Sequence, residues 1–236
     1  MSTFARQNRF SLNIATPHAA QPSEFQVLAF KGDEAISEPY AFEVELVSER
    51  IDLDLQALLH QPAFLAFDTS GNGIHGQVYR IALSSPGKRM SRYRLTLVPH
   101  LAYLAHRTNQ RIFQNVSVQQ IIEQLLEEHG IFSNAYAFTQ LSPYKAREYC
   151  VQYGESDLHF IQRLCFEEGL HFHFTHSAQG HVLVFGDKQT AFSVVRGSTP
   201  FVEGRGLVAA QPSINGFSVQ LQTRTNSTLH RDYNFE

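Results

Sequence analysis

The sequence has no tryptophan, only two cysteines and no excess of charge of either sign. It contains 19 Lys and Arg against 22 Asp and Glu, so the formal net charge at pH 7 is −3. This balance lacks the concentrated positive charge with which proteins bind nucleic acid or anionic membranes. We therefore expect no nucleic-acid partner.

The two cysteines and the lack of long apolar runs limit where the protein can work. Cys150 and Cys165 are too few for a disulfide framework and suggest reduced thiols in a cytoplasmic protein. Residues 1–6 lack the basic-then-apolar pattern of a signal peptide. No apolar run approaches the roughly 20 residues that cross a bilayer. We expect no signal peptide and no membrane-spanning segment.

Apolar and aromatic residues are abundant. Hydrophobic residues make up 43% and charged residues 17% of the 236 residues, which indicates a folded globular protein rather than a disordered chain. The 19 Phe and nine Tyr favour β-sheets, whose half-buried surfaces suit aromatic side chains. The length allows one large domain or two small ones.

The first hundred residues read as short strands separated by turns. Apolar residues alternate with polar ones around residues 10–14, 42–46 and 95–97. Turn signals occur at residues 32–33, 70–73 and 84–87, and a short helix is predicted at residues 53–59. The pattern favours a small antiparallel barrel or sandwich.

A match to the dinucleotide pattern G-x-G-x-x-G occurs at residues 71–76. A dinucleotide loop must follow a strand and open a helix, whose first N–H groups bind the pyrophosphate. Here residues 77–81 read as a strand, so we interpret the glycines as a hairpin turn.

Two amphipathic helices are predicted farther along. Ser117 and Gln120 form a capping box ahead of an apolar stripe that Gly130 ends, which predicts a helix over residues 118–129. Ser156 caps a second helix at residues 157–168, with Asp157 in its first turn and Gly169 after its end. The apolar stripe of the second helix contains Leu158, Ile161, Leu164 and Cys165. Residues 170–175 and 181–185 then form a predicted hairpin.

Together these patterns predict a β-dominated α+β fold in three parts. Residues 1–105 would form a first β-barrel, and residues 106–195 an α+β middle subdomain with the two helices. Residues 196–236 read as the incomplete start of a second β-barrel. We therefore expect the chain to be part of a longer protein.

Histidines are the main candidates for chemistry. His171 and His173 alternate on one strand, with side chains about 6.6 Å apart on one face at 3.3 Å per residue. His176 and His181 flank the next turn, so the four are weak candidates for a zinc site of a hydrolase. The alternative is the outward face of a strand. Because no carboxylate follows at a diagnostic spacing, we expect no metal, no cofactor and no catalytic residue.

Other polar groups have simpler interpretations. Cys150 lies near His129 and His159 in sequence, but such a thiol–imidazole pair is common by chance, and Cys165 is expected in the core. The adjacent carboxylates at residues 127–128 and 167–168 face different directions on a helix and are expected to be solvated. Arg89, Arg92 and Arg94 form a basic patch that we expect to be exposed surface.

A set of motifs resembles a known family. These motifs are residues 32–40 (GDEAISEPY), 75–78 (HGQV), 111–114 (RIFQ), 128–130 (EHG), 153–157 (YGESD), 167–169 (EEG) and 229–235 (LHRDYNF). In this order they resemble the N-terminal part of the VgrG spike proteins of type VI secretion. That part is similar in fold to the baseplate hub of contractile phage tails.

The resemblance implies a structural function rather than an enzymatic one. The chain would be the hub portion of a homotrimeric spike that sits on the hexameric Hcp tube, contacts baseplate components and carries an effector or adaptor through a C-terminal region beyond this chain. The spike would assemble in the cytoplasm and then be secreted or injected. The hub of a contractile phage or phage-like tail is the alternative, and a histidine-bound metal hydrolase is a lesser one.

Overall fold

A computed structural model describes residues 10–15, 25–68, 70–87, 89–139, 142–194, 198–202, 213–214 and 216–223. The chain divides into two compact units, Met1–Phe192 and Ser193–Glu236. The described part of the first unit contains eleven strands, three α-helices and two short 3₁₀ helices. Strands dominate, so the predicted β-dominated α+β fold is confirmed.

Six antiparallel strands form one curled sheet. In chain order they are β1 (Ser11–Ile14), β2 (Gln26–Asp33), β3 (Ala41–Ser48), β4 (Pro62–Ala66), β5 (Gly73–Ser85) and β6 (Ser91–Val98). Their order across the sheet is β1-β4-β5-β6-β3-β2. The curl brings the edge strands β1 and β2 into contact, so the sheet wraps around its own core.

Apolar and polar residues alternate along the strands, and the apolar side chains form that core. In β3, Phe42, Val44 and Leu46 point inward while Glu43 and Glu45 are exposed, as period-two patterning requires. We call the enclosed cluster the barrel core. Its buried members are Leu12, Phe25, Val27, Tyr40, Phe42, Val44, Leu46, Leu58, Ala63, Leu65, Ile74, Val78, Tyr93, Leu95 and Leu97.

The turn predicted at Gly32 and Asp33 is wrong. Both residues continue β2, where they pair with Phe42 and Ala41 of β3. A Cβ atom on Gly32 would lie 2.1 Å from Cδ1 of Phe42, so the glycine is needed for close packing beneath that ring. The chain reverses a few residues later, through Ser37 at φ 63°.

Two other local predictions in this region are refined. The predicted helix at residues 53–59 is the shorter α1 (Leu55–Leu58), and Asp54 caps it by accepting from the main-chain N–H groups of Gln56 and Ala57. The G-x-G-x-x-G match lies in the β4–β5 hairpin, where Gly71 has φ 89° and Gly73 already begins β5. This confirms its interpretation as a hairpin turn.

The following residues mix helices with two small sheets. The elements are a 3₁₀ helix (His100–His106), β7 (Thr108–Phe113), α2 (Val118–Glu128), β8 (Tyr136–Thr139), β9 (Cys150–Ser156), α3 (Asp157–Glu168), β10 (His171–Ser177), β11 (Gly180–Gly186) and a second 3₁₀ helix (Gln189–Ala191). Strands β7 and β9 form an antiparallel ribbon. The order of the other sheet is β10-β11-β8, with β8 parallel to β11.

Both predicted helices are confirmed, together with their caps. Ser117 and Gln120 make the reciprocal capping box of α2. The Ser156 side chain accepts from the main-chain N–H of His159, and Gly169 ends α3 at φ 70°. The buried face of α3 differs from the prediction in one position, because Phe160 is fully buried while Leu158 is only half-buried.

A second cluster, the middle core, lies between these helices and the two small sheets. Its buried members are Leu101, Leu104, Phe113, Val118, Ile121, Ile122, Leu125, Leu126, Ile131, Cys150, Phe160, Ile161, Leu164, Cys165, Leu170, Phe172, Leu183 and Phe185. Phe174 of β10 packs against both cores. The two cores therefore meet along the β10–β11 hairpin.

A clasp at Ser37 also joins the two cores. The main-chain N–H of Ser37 donates to the carbonyl of Phe172 at 2.9 Å, and the Ser37 hydroxyl accepts from the N–H of Phe172 at 3.3 Å. The Gln162 side chain donates to the Ser37 carbonyl at 3.1 Å. The loop between β2 and β3 is thereby fixed to the first strand of the hairpin.

The second unit is described only in short pieces. Phe201 and Ile214 form a parallel bridge, with the N–H of Val202 donating to the Ile214 carbonyl at 2.8 Å. The predicted second barrel falls largely outside the described residues, as do the N-terminal residues 1–6 and the motif at residues 229–235.

Candidate functional site

A cavity of the first unit lies where the two cores meet. Its volume is about 460 Å³, and it lies between the start of β5, the first 3₁₀ helix and the β10–β11 hairpin. Four histidines line it without an accompanying Lys, Arg, Asp or Glu: His75, His100, His176 and His181. We call this group the histidine junction.

The main chain of His75 depends on the junction for its hydrogen bonds. The ladder between β5 and β6 starts at the Gln77–Val98 pair, so His75 has no partner from β6. Instead, its N–H donates to Nδ1 of His176 at 3.3 Å, and its carbonyl accepts from the Tyr40 hydroxyl. Side chains thus satisfy buried main-chain groups that the sheet leaves open.

The ring of His181 spans the junction from the hairpin side. Its Nε2 accepts from the main-chain N–H of His100 at 3.2 Å, and its Nδ1 lies 3.0 Å from Nδ1 of His75. Since Nε2 is an acceptor, the proton of neutral His181 is on Nδ1, which donates to His75. His75 then carries its own proton on Nε2.

Aromatic packing surrounds these rings. Tyr40 lies edge-on to His176 and to Phe174, with ring centroids 5.0 Å apart in each case. Burial raises the pKa of the Tyr40 hydroxyl above its usual value, so it remains a donor. Burial also lowers the pKa of His181 to about 3, with further lowering from the charges on His75, His176 and His100. The His75 pKa is lowered too, by burial and by His176.

The four histidines named from the sequence fall into two pairs. His176 and His181 face each other across the hairpin, with ring centroids 6.4 Å apart. His171 and His173 are on the opposite face of β10, where the Phe192 ring stacks on His171 at a centroid distance of 4.5 Å and lies tilted against His173 at 4.9 Å. Across the described ranges, no group of three or more His, Cys, Asp and Glu side chains is arranged to hold a metal ion.

Sequence reasoning missed His75 and His100 as members of the junction. They precede the hairpin by 106 and 81 residues, counted to His181. No local spacing links them to it. For His75, the available signal was its position in a predicted strand directly after a glycine turn. Main-chain pairing with a neighbouring strand can end early at such a position.

A second polar group lies inside the middle region, around Asp157. This side chain is fully buried at the start of α3. It accepts from Gln152 at 2.7 Å, Asn109 at 3.0 Å and Arg111 at 3.2 Å, and also pairs with Arg107 and His129. These hydrogen bonds outweigh the effect of burial and hold the Asp157 pKa well below its usual range.

The carboxylates at the helix ends are paired as well as solvated. Glu128 lies 2.7 Å from a guanidinium nitrogen of Arg111 and also pairs with Arg107. Glu167 pairs with Arg147 and Arg163 at 2.7 Å, and Glu168 lies 2.6 Å from Arg147. Glu128 and Glu167 remain exposed, as expected from the sequence, whereas Glu168 is half-buried.

Both cysteines are free and buried, as expected for Cys165. Burial raises the Cys165 pKa to about 12, so the thiol stays protonated at neutral pH. Because the thiolate is the nucleophilic form, this environment does not activate Cys165.

The outer face of the β7–β9 ribbon is apolar and exposed. Ile112 pairs with Val151, and Tyr153 pairs with Gln110, so their side chains share one face. The opposite face carries Arg111 and Gln152 inward to Asp157. Ile112 is 58% exposed and Tyr153 is 77% exposed. Neighbouring exposed apolar side chains of this kind are typical of interaction surfaces.

No helix in the described residues is long and apolar enough to span a membrane.

Comparison with known proteins places the chain in a defined group. The profile of the phage tail baseplate hub (GPD) matches residues 33–236. The type VI secretion system spike protein VgrG4b of Pseudomonas aeruginosa is 58% identical over 232 residues, which cover 98% of this chain and 28% of VgrG4b. VgrG5 of the same organism is 55% identical over 234 residues, covering 98% of this chain and 29% of VgrG5.

Solved structures agree in fold. The E. coli c3393 protein is a component of the type VI secretion system with structural similarity to the T4 bacteriophage tail proteins gp27 and gp5. It matches with a TM-score of 0.72 and 29% identity, covering 83% of this chain and 53% of that one. A 43 kDa prophage tail protein from Shewanella oneidensis matches with a TM-score of 0.57, 15% identity and coverage of 82% and 57%, which shows the fold alone.

These matches confirm the predicted resemblance to VgrG spike proteins. The chain spans less than a third of the length of the two Pseudomonas relatives.

Proposed function

Because the chain belongs to the phage tail baseplate hub family, we propose that it is the hub portion of a type VI secretion spike and acts there as a structural part. The observation that carries this proposal is the 58% identity to the spike protein VgrG4b along 98% of the chain. The matched residues include nearly all of this chain, and so the barrel sheet and the middle region together.

The proposed assembly is a homotrimer. It would sit at the tip of a hexameric Hcp tube, contact baseplate components and carry an effector or adaptor through a C-terminal region beyond this chain. The exposed apolar face with Ile112 and Tyr153 supports a subunit contact, since stable subunit interfaces need apolar area. The proposed route is assembly in the cytoplasm followed by secretion or injection.

We propose no catalytic role for the described residues. Both ring nitrogens of His181 are occupied by hydrogen bonds, and Phe192 covers His171 and His173. The Cys165 thiol is protonated and buried. These arrangements favour a structural role over the metal hydrolase considered from the sequence.

The proposal can be tested in the source bacterium with the complete gene that encodes this chain. Deleting the gene should abolish release of the Hcp tube protein into the medium, and the wild-type gene should restore it. A His171→Ala/His173→Ala gene should restore release as well, since a structural role requires no imidazole ligands at these two positions. Normal Hcp release from the deletion strain, with other spike genes also removed, would contradict the proposal.

A second measurement tests the trimer. The complete gene product should have three times its monomer mass by light scattering, and Tyr153→Glu should lower the trimer fraction. Ile51→Glu is the matched control, since Ile51 is an exposed apolar residue in the loop between β3 and α1. If Tyr153→Glu remains fully trimeric, the ribbon face is not the contact; a monomeric wild-type protein at micromolar concentration would exclude the trimer itself.

A further inference from the structure

The histidine junction holds the hairpin through three rings, those of His75, His176 and His181, that each need to be neutral. On one side are His75 of β5 and the main-chain N–H of His100 at the start of the first 3₁₀ helix, and on the hairpin side are His176 and His181. Three hydrogen bonds connect the two sides, and each has an imidazole nitrogen as its acceptor. An imidazole accepts only at a nitrogen that carries no proton.

Adding one proton to any of these rings breaks one connection. On His181 the second proton goes to Nε2, which then faces the N–H of His100 as a donor. On His75 it goes to Nδ1, so that two N–H groups oppose each other across 3.0 Å. On His176 it goes to Nδ1, opposite the N–H of His75. In each case an acceptor is replaced by a second donor.

The surroundings offer little compensation for positive charge. Tyr40, which packs on His176 and His181, is a neutral phenol. From the turn before β8 and from β5, the cavity is lined by the uncharged amides of Asn134 and Gln77. One carboxylate approaches: Oε1 of Glu34 lies 3.7 Å from Nε2 of His176, beyond hydrogen-bond distance. His100 is itself titratable, with its pKa lowered by burial and by the charge on His129.

We propose that the histidine junction is a proton-sensitive latch that holds the β10–β11 hairpin on the barrel at neutral pH and opens locally in mild acid. Opening exposes the rings to water and frees the N–H groups of His75 and His100. The Ser37 clasp contains no group that titrates in this range, so it keeps the two cores connected. The latch is independent of the spike assembly proposed above.

The direction of the pH effect follows from the lowered pKa values of His181 and His75. In the open state these rings regain an ordinary pKa near 6.5, so the open state binds more protons than the closed one. The closed state is therefore fully favoured above about pH 6.5 and loses stability as the pH falls toward the closed-state value. For His181 alone, with a closed-state pKa of about 3, the opening constant should rise about 25-fold from pH 7 to pH 5.

Two amides report directly on the latch. Hydrogen exchange of the N–H groups of His75 and His100, followed by NMR and corrected for the intrinsic exchange rate at each pH, should show protection falling about 25-fold between pH 7 and pH 5. The amides of Leu95 in β6 and Leu125 in α2 serve as references for the two cores and should keep their protection. Equal losses at all four amides would mean global unfolding and would overturn the latch.

Variants separate titration from packing. His181→Gln keeps an acceptor for the N–H of His100 but cannot titrate, so protection at pH 7 should fall while its change between pH 7 and pH 5 shrinks to a few-fold. His159→Gln is the matched control, because His159 is exposed on α3 and away from the junction; it should retain the full change. An undiminished pH response in His181→Gln would contradict the proposal.

A measurement on the wild-type chain tests the latch even if His181→Gln fails to fold. Long-range proton–nitrogen NMR spectra distinguish a protonated from an unprotonated ring nitrogen. At pH 7 they should show the His181 proton on Nδ1 and the His75 proton on Nε2. The opposite tautomers, or titration of His181 near 6.5, would rule the latch out.

Discussion

The barrel core and the middle core are stabilised in different ways. Around the barrel core, the four inner strands of the curled sheet pair on both sides, and charged pairs stay peripheral. Arg94 lies 3.8 Å from Glu45 and Arg80 lies 3.6 Å from Glu43, with all four side chains more than half exposed. Around the middle core the sheets have two and three strands, and a buried carboxylate, Asp157, takes part in the packing.

The difference shows where charge is structurally important. A wide sheet fixes its strands by continuous main-chain hydrogen bonds, so its surface ion pairs are worth little. Among the described residues of the middle region, β7 and β9 pair only with each other, and no strand ladder fixes this ribbon to α2 or α3. Asp157, at the start of α3, bonds to groups from β7, from β9 and from the end of α2. We infer that this buried carboxylate, with several hydrogen-bond donors around it, fixes the relative positions of these elements.

The largest expected effect comes from removing that carboxylate. Asp157→Ala leaves Arg107, Arg111 and Gln152 without their buried partner, so we expect the free energy of unfolding to fall by about 3–5 kcal/mol. Chemical denaturation followed by circular dichroism measures it. A loss below about 1 kcal/mol, typical of exposed ion pairs, would show that the two regions do not differ in this way.

The pH dependence of the same site sharpens the comparison. Because the folded-state pKa of Asp157 lies below its unfolded value, its contribution is complete above about pH 4 and is lost as the pH falls through the folded-state value. The stability difference between the wild type and Asp157→Asn should therefore shrink below pH 4. A difference that stays constant from pH 6 to pH 3 would contradict the assigned direction.

Core truncations test whether the two regions unfold together. Leu95→Ala in the barrel core and Leu125→Ala in the middle core should each cost about 2–5 kcal/mol, since both side chains are fully buried. The hairpin and Phe174 connect the cores, so each variant should shift one shared transition. Two separate transitions, each sensitive to one variant, would show that the connection is weaker than either core.

The helix cap of α2 gives a smaller effect. Ser117→Ala removes the acceptor for the N–H of Gln120 and should lower the unfolding free energy by about 1 kcal/mol. Ser117→Asp retains a capping acceptor and serves as the control, with stability near that of the wild type. Thermal denaturation resolves the two; equal losses in both would assign the effect to something other than capping.

The smallest effect is expected on the barrel surface. Glu45→Gln should change the unfolding free energy by less than about 0.5 kcal/mol, because the pair with Arg94 is long and exposed. The same denaturation assay as for Asp157→Ala applies. A loss comparable to that of Asp157→Ala would remove the contrast between the two regions.

Signals between residues close in sequence predicted the helices well. Contacts between residues far apart in sequence could not be predicted. Ser117 with Gln120, and Ser156 with Gly169, are close in sequence and define both helices. Gly32 misled because its role is set by the ring of Phe42 on the neighbouring strand, not by a turn. A glycine in a strand and a glycine in a turn look alike without the partner strand.

The Asp157 group and the histidine junction could be predicted only in part, for the same reason. Asp157 was placed at a helix start from its sequence, but its partners Arg107 and His129 precede it by 50 and 28 residues. The hairpin histidines were named, yet the ring that meets His181 belongs to the barrel. Burial and tautomer depend on such distant neighbours, so neither could be read from spacing.

The distance along the chain between the two sides of the histidine junction also has a kinetic consequence. All six barrel strands are present once Val98 has been synthesised, whereas the junction requires His181. Contacts between residues far apart in sequence form late because a long loop must close first. During synthesis, the barrel strands can therefore pair with one another before the residues of the hairpin have been made.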